Sequence, residues 1–450
     1  MRKILRFSLV LFTAMALAHD ARGLDPDLAR FAGTKLAEAR KAAGNQTNKV
    51  PSFVWSFFDA IRVDDWDTAT NLMQRIDAAS GRYSNSNRET FSPGLQSVIW
   101  PSISESIGAY EEFHEWDNKW LHRFGTNIIA SIPGGSIYFG GTDPGRFVIS
   151  ALVESVREAR PFFILTQNQL VDIGYLDYLR ANYGGRIYIP TTNDLQQAFK
   201  DYLANAQQRM KEGKLVPGED VHIDKNGHVQ ASGQISVMQI NGRLAKIVLE
   251  KNPSREFYIE ESFPLDWMYP QLTPHGLIMQ LYHAPLDALA REDIEKDMDY
   301  WKKLTGAALG DWLKETTSLR DVCDFSDKIL LRKDLENFKG DAAFVNNEDA
   351  QKTFSKLRSS IAGLYAWRAT HAKNDTVRND MRKNAEIAFM QAFALCPYSP
   401  EAVFRYTGFL IELNRRDDAI LIAQTCQRLG HDPETATYMR ELLRSLHGGR

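Results

Sequence analysis

Three cysteines in 450 residues leave this chain without a covalent frame. They are Cys323, Cys396 and Cys426, and an odd, low count excludes a disulfide-stapled scaffold. No CxxC pair or Cys/His cluster has the spacing of a zinc site. Charge bias is missing too: 54 Lys and Arg stand against 57 Asp and Glu, a formal net charge of -3. That balance lacks the basic footprint of a nucleic-acid binder. Beyond the first residues, no apolar run approaches the ~20 residues that a helix needs to cross a bilayer. The glycines form neither a GxGxxG fingerprint nor a Walker loop, and no serine sits in a GxSxG elbow. These absences give no reason to expect a metal or a cofactor, and they lean away from an enzyme. What remains is an ordinary globular composition, 44% apolar and 25% charged, in which disorder does not dominate. At ~100–200 residues per domain, the length suggests two to four domains.

The chain opens on Arg2, Lys3 and Arg6, followed by an apolar stretch over 7–18. Ala16-Leu17-Ala18 supplies small residues at signal-peptidase spacing, and Ala21-Arg22-Gly23 offers a second cut. Residues 1–18 are therefore expected to be a secretory signal, with an uncleaved anchor as the alternative. Cleavage after Ala18 removes three positive charges and takes the net charge from -3 to -6. The expected location is exported, periplasmic or extracellular. Asn45-Gln46-Thr47 and Asn374-Asp375-Thr376 match the glycosylation acceptor pattern.

Helical spacing dominates residues 24–130, with helices expected over 28–43, 53–61, 68–76 and 104–113 and a loop over 83–93. The period changes near residue 132. Short β-branched and aromatic runs at 136–139, 162–166, 187–189, 257–260 and 277–281 read as strands. Helices expected at 147–159, 170–182, about 192–212 and 236–250 alternate with them, and a hairpin is expected over 221–232. Such alternation predicts an α/β domain over 131–285, with a mostly parallel sheet and flanking helices. A helical connector follows over 286–354, and helical hairpins fill 355–447.

The C-terminal pattern is the most specific one. Ala385, Phe389 and Ala392 lie on one helical face, with Pro397 beyond it. Thirty-four residues later stand Ala419, Ala423 and Cys426, and Pro433 follows slightly late. Val403, Tyr406, Thr407 and Leu410 form the face of the helix between. This resembles the tetratricopeptide repeat, a helical hairpin of 34 residues that stacks through small side chains. The first unit departs from it by an insertion around 370–382, the second by Thr407 at a small-residue position. The stretch 434–446 would be the capping helix. Since fewer than three repeats rarely stand alone, upstream helices including 355–367 are expected to pack against them.

In the middle, 135–147 (GSIYFGGTDPGRF), 166–170 (TQNQL), 175–179 (YLDYL) and 260–281 (EESFPLDWMYPQLTPHGLIMQL) resemble the soluble extracytoplasmic part of bacterial multi-span proteins similar to protein O-mannosyltransferases. They also resemble uncharacterised exported bacterial proteins that end in tetratricopeptide repeats. The catalytic acids of those transferases lie in the membrane portion, which this chain lacks. The resemblance thus implies an accessory or partner-binding domain and supplies no catalytic residue.

The loop 140–146 (GGTDPGR) joins a strand to a helix. Its glycines permit a tight turn, helix-start N–H groups favour anions, and Arg146 can add a charge-assisted bond. The same loop also reads as a plain strand-to-helix turn. If the strands are parallel, Thr142, Asp143, Gln167, Asn168, Glu260 and Glu261 gather at their carboxyl ends, where α/β folds bind ligands. A carboxylate pair with amides there could bind a sugar or do acid–base work. The plainer alternative is that these groups cap strands and satisfy loop amides. His114 with Glu111 has i, i+3 metal spacing, though a lone surface histidine is more often solvated. His275 reads as part of a turn.

Two functions follow as expectations. One is a non-catalytic exported scaffold whose repeats bind a protein or peptide partner. The other is an extracytoplasmic binder of, or enzyme on, carbohydrate or phosphate ligands, linked to glycan transfer. Neither involves nucleic acid, and neither requires a membrane span in the mature chain.

Overall fold

The computed structural model describes residues 24–80, 92–155, 162–216, 218–225, 227, 229–260, 265–430 and 433–448. The expected signal at 1–18, most of the loop expected at 83–93, and Glu261 lie outside them. In chain order the helices begin with α1 (Pro26–Ala43), α2 (Ser52–Arg62), α3 (Trp66–Ser80), α4 (Pro93–Glu115) and α5 (Asn118–Ser131). Then come β1 (Ile137–Gly140), α6 (Asp143–Leu152), β2 (Phe163–Thr166), α7 (Ile173–Tyr183) and α8 (Thr192–Lys211). A hairpin of β3 (Asp220–Ile223) and β4 (Val229–Ser232) precedes α9 (Gly233–Lys251), β5 (Phe257–Glu260), β6 (Leu272–His275) and β7 (Ile278–Leu281). The rest is helical: α10 (Arg291–Leu309), α11 (Leu319–Phe325), α12 (Ala342–Asn346), α13 (Glu348–Thr370), α14 (Asp375–Leu395), α15 (Pro400–Glu412), α16 (Arg416–Leu429) and α17 (Pro433–Gly448). The chain is thus helix-rich with a small mixed sheet.

Two compact units divide it. The first takes the described parts of Met1–His114, Ser150–Ser155 and Leu165–Arg255. In it α1, α2 and α3 pack in succession, and α8 and α9 pack against each other and the β3–β4 hairpin. The α2–α3 turn uses Asp64 at φ 59°, a conformation that aspartate tolerates better than most residues. Thr191 and Asp194 form a reciprocal capping box at the start of α8, which satisfies donors that a helix start leaves open. The strand expected at 187–189 is absent: only an isolated bridge joins Gly184 and Ile187, and the Tyr188 amide donates to Asn252 Oδ1 at 2.7 Å.

The second unit takes the described parts of Glu115–Ile149, Val156–Ile164 and Glu256–Arg450. The five-stranded sheet runs in the order β2-β1-β5-β7-β6. β1 and β5 are parallel, while β5–β7 and β7–β6 are antiparallel. The expected mostly parallel sheet is therefore mixed. The missing element was β6, because Thr273-Pro274-His275 reads as a turn. Pro274 is tolerated there since β6 is an edge strand and need not donate along its whole length. The reversal to β7 passes through Gly276 at φ 65°.

α10 packs on β6 and α13 on β6 and β7, and α13 is buried on almost every side. Arg358 of α13 is fully covered. It donates to Asp297 Oδ2 of α10 at 2.7 Å and to Gln391 Oε1 of α14 at 2.8 Å. Tyr365 donates to the same Asp297 oxygen at 2.8 Å. No described helix is long and apolar enough to cross a membrane.

Candidate functional site

β1 and β5 end side by side, with Gly140 opposite Glu260. Glu260 has no solvent exposure. Its Oε2 accepts from the amides of Gly141 at 3.1 Å and Thr142 at 3.0 Å, and its Oε1 accepts from Thr142 Oγ1 at 2.8 Å. Thr142 Oγ1 in turn accepts from the Gly145 amide at 3.1 Å. Burial pushes the Glu260 carboxyl above its usual range, against the pull of these bonds and of the Lys356 charge. The anion-binding loop expected at 140–146 is thus filled by the chain's own carboxylate. Gly145 is required for that fit, because a Cβ there would lie 1.9 Å from Glu260 Oε2. Glu260 therefore fixes the strand-to-helix turn and offers no open oxygen to a substrate.

The other expected residues differ in burial and in partners. Asp143 is exposed in the first turn of α6. Arg146 is buried in the same turn, and its Nε and Nη2 have no hydrogen-bond partner. Gln167 and Asn168 belong to the first unit. Gln167 is buried with Oε1 unpartnered, while the exposed Asn168 accepts through its carbonyl from Asn241 Nδ2 at 3.0 Å. His114 stacks on Trp66 with centroids 3.9 Å apart. His275 Nε2 lies 2.8 Å from the Ser131 carbonyl oxygen.

The C-terminal helices pack in succession, α13 on α14, α14 on α15, α15 on α16 and α16 on α17. Ser355 Oγ of α13 donates to Ala392 O of α14 at 2.7 Å, while Phe389 of α14 stacks on Tyr406 of α15 at 5.5 Å. Ala385 lies on α14 and Ala419 on α16, each the second helix of a pair, and both are fully buried. Phe389, Ala392, Ala423 and Cys426 are buried on the same helices, and Val403, Tyr406, Thr407 and Leu410 on α15. Pro397 sits in the turn between α14 and α15, and Pro433 starts α17. The three cysteines are buried thiols, and burial pushes that of Cys323 up to about 11.

A groove of about 420 Å³ opens among the segment 315–320, α14, α15 and α16. Ile387, Met390 and Leu421 give it apolar walls, and Tyr406 lies at its base. Arg415 pairs with Glu386 and with Asp418, the latter at 2.7 Å, and Lys383 pairs with Glu315 at 3.0 Å. A second charged row joins α13 to α15: Lys356 to Glu401 at 3.1 Å, and Arg405 to Ser359 Oγ at 3.2 Å. Burial works against the Glu401 charge, yet Lys356 and Ser399 hold its carboxyl below the usual range.

Sequence spacing missed both rows, since most partners are 29 or more residues apart; only Arg415 and Asp418 stand at helical i, i+3 spacing. It also missed a buried cluster in the first unit. There Lys35 Nζ lies 2.8 Å from Glu105 and 2.9 Å from Glu38, and Tyr178 donates to Glu105 at 3.0 Å. Set against known protein families, curated proteins and solved structures, the chain matches none.

Proposed function

We propose that this chain is an exported interaction protein whose C-terminal hairpins, of the tetratricopeptide type, hold a protein or peptide partner. One observation carries the reading. Ala385 and Ala419, 34 residues apart, are each fully buried on the second helix of successive hairpins. That is where such repeats need a small side chain for close helix approach. Export rests on the sequence pattern of residues 1–18.

The partner surface proposed is the groove beside Arg415, because α13 already packs on β6, β7, α14 and α15 and bonds to α10 through Arg358. A lining that mixes apolar side chains with paired charges suits a peptide better than a small apolar ligand. The Glu260 arrangement favours this reading over catalysis at the strand ends, since its oxygens are engaged within the chain.

The test uses the full chain, because α13 packs on the sheet and a C-terminal fragment would strip it. A photoreactive residue is placed at Leu421 in the groove, or at the exposed Ile173 as a control, and irradiated in an envelope extract. The expected result is a partner captured from Leu421 and not from Ile173, and lost when Ile387→Glu is added to the folded chain. Equal capture from both positions, or capture that survives Ile387→Glu, ends the proposal.

A further inference from the structure

We infer that Arg146 anchors an oxyanion site, taking a carboxylate or phosphate group of a ligand at the carboxyl end of β1. Only 6% of the residue is exposed. Its guanidinium carbon lies 4.5 Å from the Phe147 ring centroid, so aromatic carbon covers one face of the plane. Nε and Nη2, which have no partner, form one continuous edge of that plane. Such an edge matches two oxygens of a single carboxylate or phosphate group.

Burial without an acceptor is costly for this group. A guanidinium stays charged across the working pH range, so it cannot shed its proton as a buried lysine does. Native structures rarely leave buried donors of this kind unmet. Three acceptors of the same loop and strand end are engaged by other donors. Glu260 gives its oxygens to Gly141 and Thr142, the Gly145 carbonyl accepts from Tyr138 Oη at 2.9 Å, and the Thr142 carbonyl accepts the Arg146 amide at 3.0 Å. The loop amides hold the chain's own carboxyl group, and the Arg146 edge is left for an anion from outside. The carboxyl ends of sheet strands are where α/β folds gather ligands. This site stands apart from the partner groove and does not depend on it.

The experiment is thermal unfolding of the full chain in sodium phosphate, sodium acetate and sodium chloride at equal ionic strength, with Arg146→Met and Arg146→Lys alongside. The wild type is expected to melt about 1–3 °C higher in an oxyanion buffer than in chloride. Arg146→Met keeps the apolar stem, so it should melt above wild type in chloride and lose the oxyanion response. Arg146→Lys keeps the charge without the paired edge and should respond less than wild type, which serves if the methionine variant does not fold. A rise in phosphate alone assigns a phosphoryl group; a rise in both assigns a carboxylate-sized group. No rise in the wild type, or an equal rise in the variants, overturns the inference.

Discussion

The hairpins and the strand end of the second unit are both closed by burial, but by different physics. On α14 and α16 the buried groups include the methyl side chains of Ala385, Ala392, Ala419 and Ala423, and the gain is close contact between apolar surfaces. At the end of β5 the closing group is a carboxylate on backbone amides, and the gain is that buried donors are met. The first kind of closure tolerates charge changes on the outside of the helices, where a partner could bind. The second consumes the loop amides and leaves only the Arg146 edge for a ligand. The two regions thus differ in what they leave available.

The largest expected effect tests whether apolar contact alone holds the hairpins. Arg358 and Asp297 tie α13 to α10 in full burial. Arg358→Ala leaves Asp297 without its cation and should cost about 3–5 kcal/mol in urea unfolding. Replacing both by leucine should recover most of that, since a buried pair often exchanges for apolar residues at little net cost. A mild effect from the single change would mean that packing carries the region without the pair. Next comes the small-residue seam itself. Ala419→Leu forces extra methylenes into a filled contact and should cost about 1–3 kcal/mol. The same leucine at exposed Gln424 on α16 should stay within about 0.5 kcal/mol. Equal effects at 419 and 424 would remove the distinction between the two faces.

What the sequence disclosed follows the same divide. The helices of the hairpins and the strands β1, β2, β5 and β7 were legible because their signal is local: a period, a proline, a β-branched run. The strand at 187–189 misled, since Ile187 and Ile189 are buried by packing while the Tyr188 backbone is satisfied by Asn252 across 64 residues. β6 was hidden by a proline that an edge strand can accept. The candidate site was half legible. Thr142 and Glu260 were named together and do meet, but the reason was not visible, because the bonds link residues 118 and 119 apart. Lys356, Glu401 and Arg405 carry no pattern of their own; only the packing of α15 on α13 brings them together.

The smallest effect is the sharpest test of the strand end. Glu260→Gln keeps the shape, and its amide oxygen can replace Oε2 in accepting from Gly141 and Thr142. Its NH2 would face Thr142 Oγ1, which has lone pairs to accept from it while still receiving the Gly145 amide. The change should therefore cost less than about 1 kcal/mol in mild acid. Burial raises the folded carboxyl above its ordinary value of 4.5, so the folded chain holds this proton more tightly than the unfolded one. That contribution is fully present below pH 4.5 and is lost as pH rises through the higher folded value. The glutamine variant does not titrate, so it should gain on the wild type as pH rises above 4.5, measured as the difference between their urea midpoints. If it instead loses ground, the three donors outweigh burial and the turn stabilises negative charge. The strand end would then be an anion-holding device that Glu260 occupies, and its contrast with the hairpins would narrow to which anion sits there.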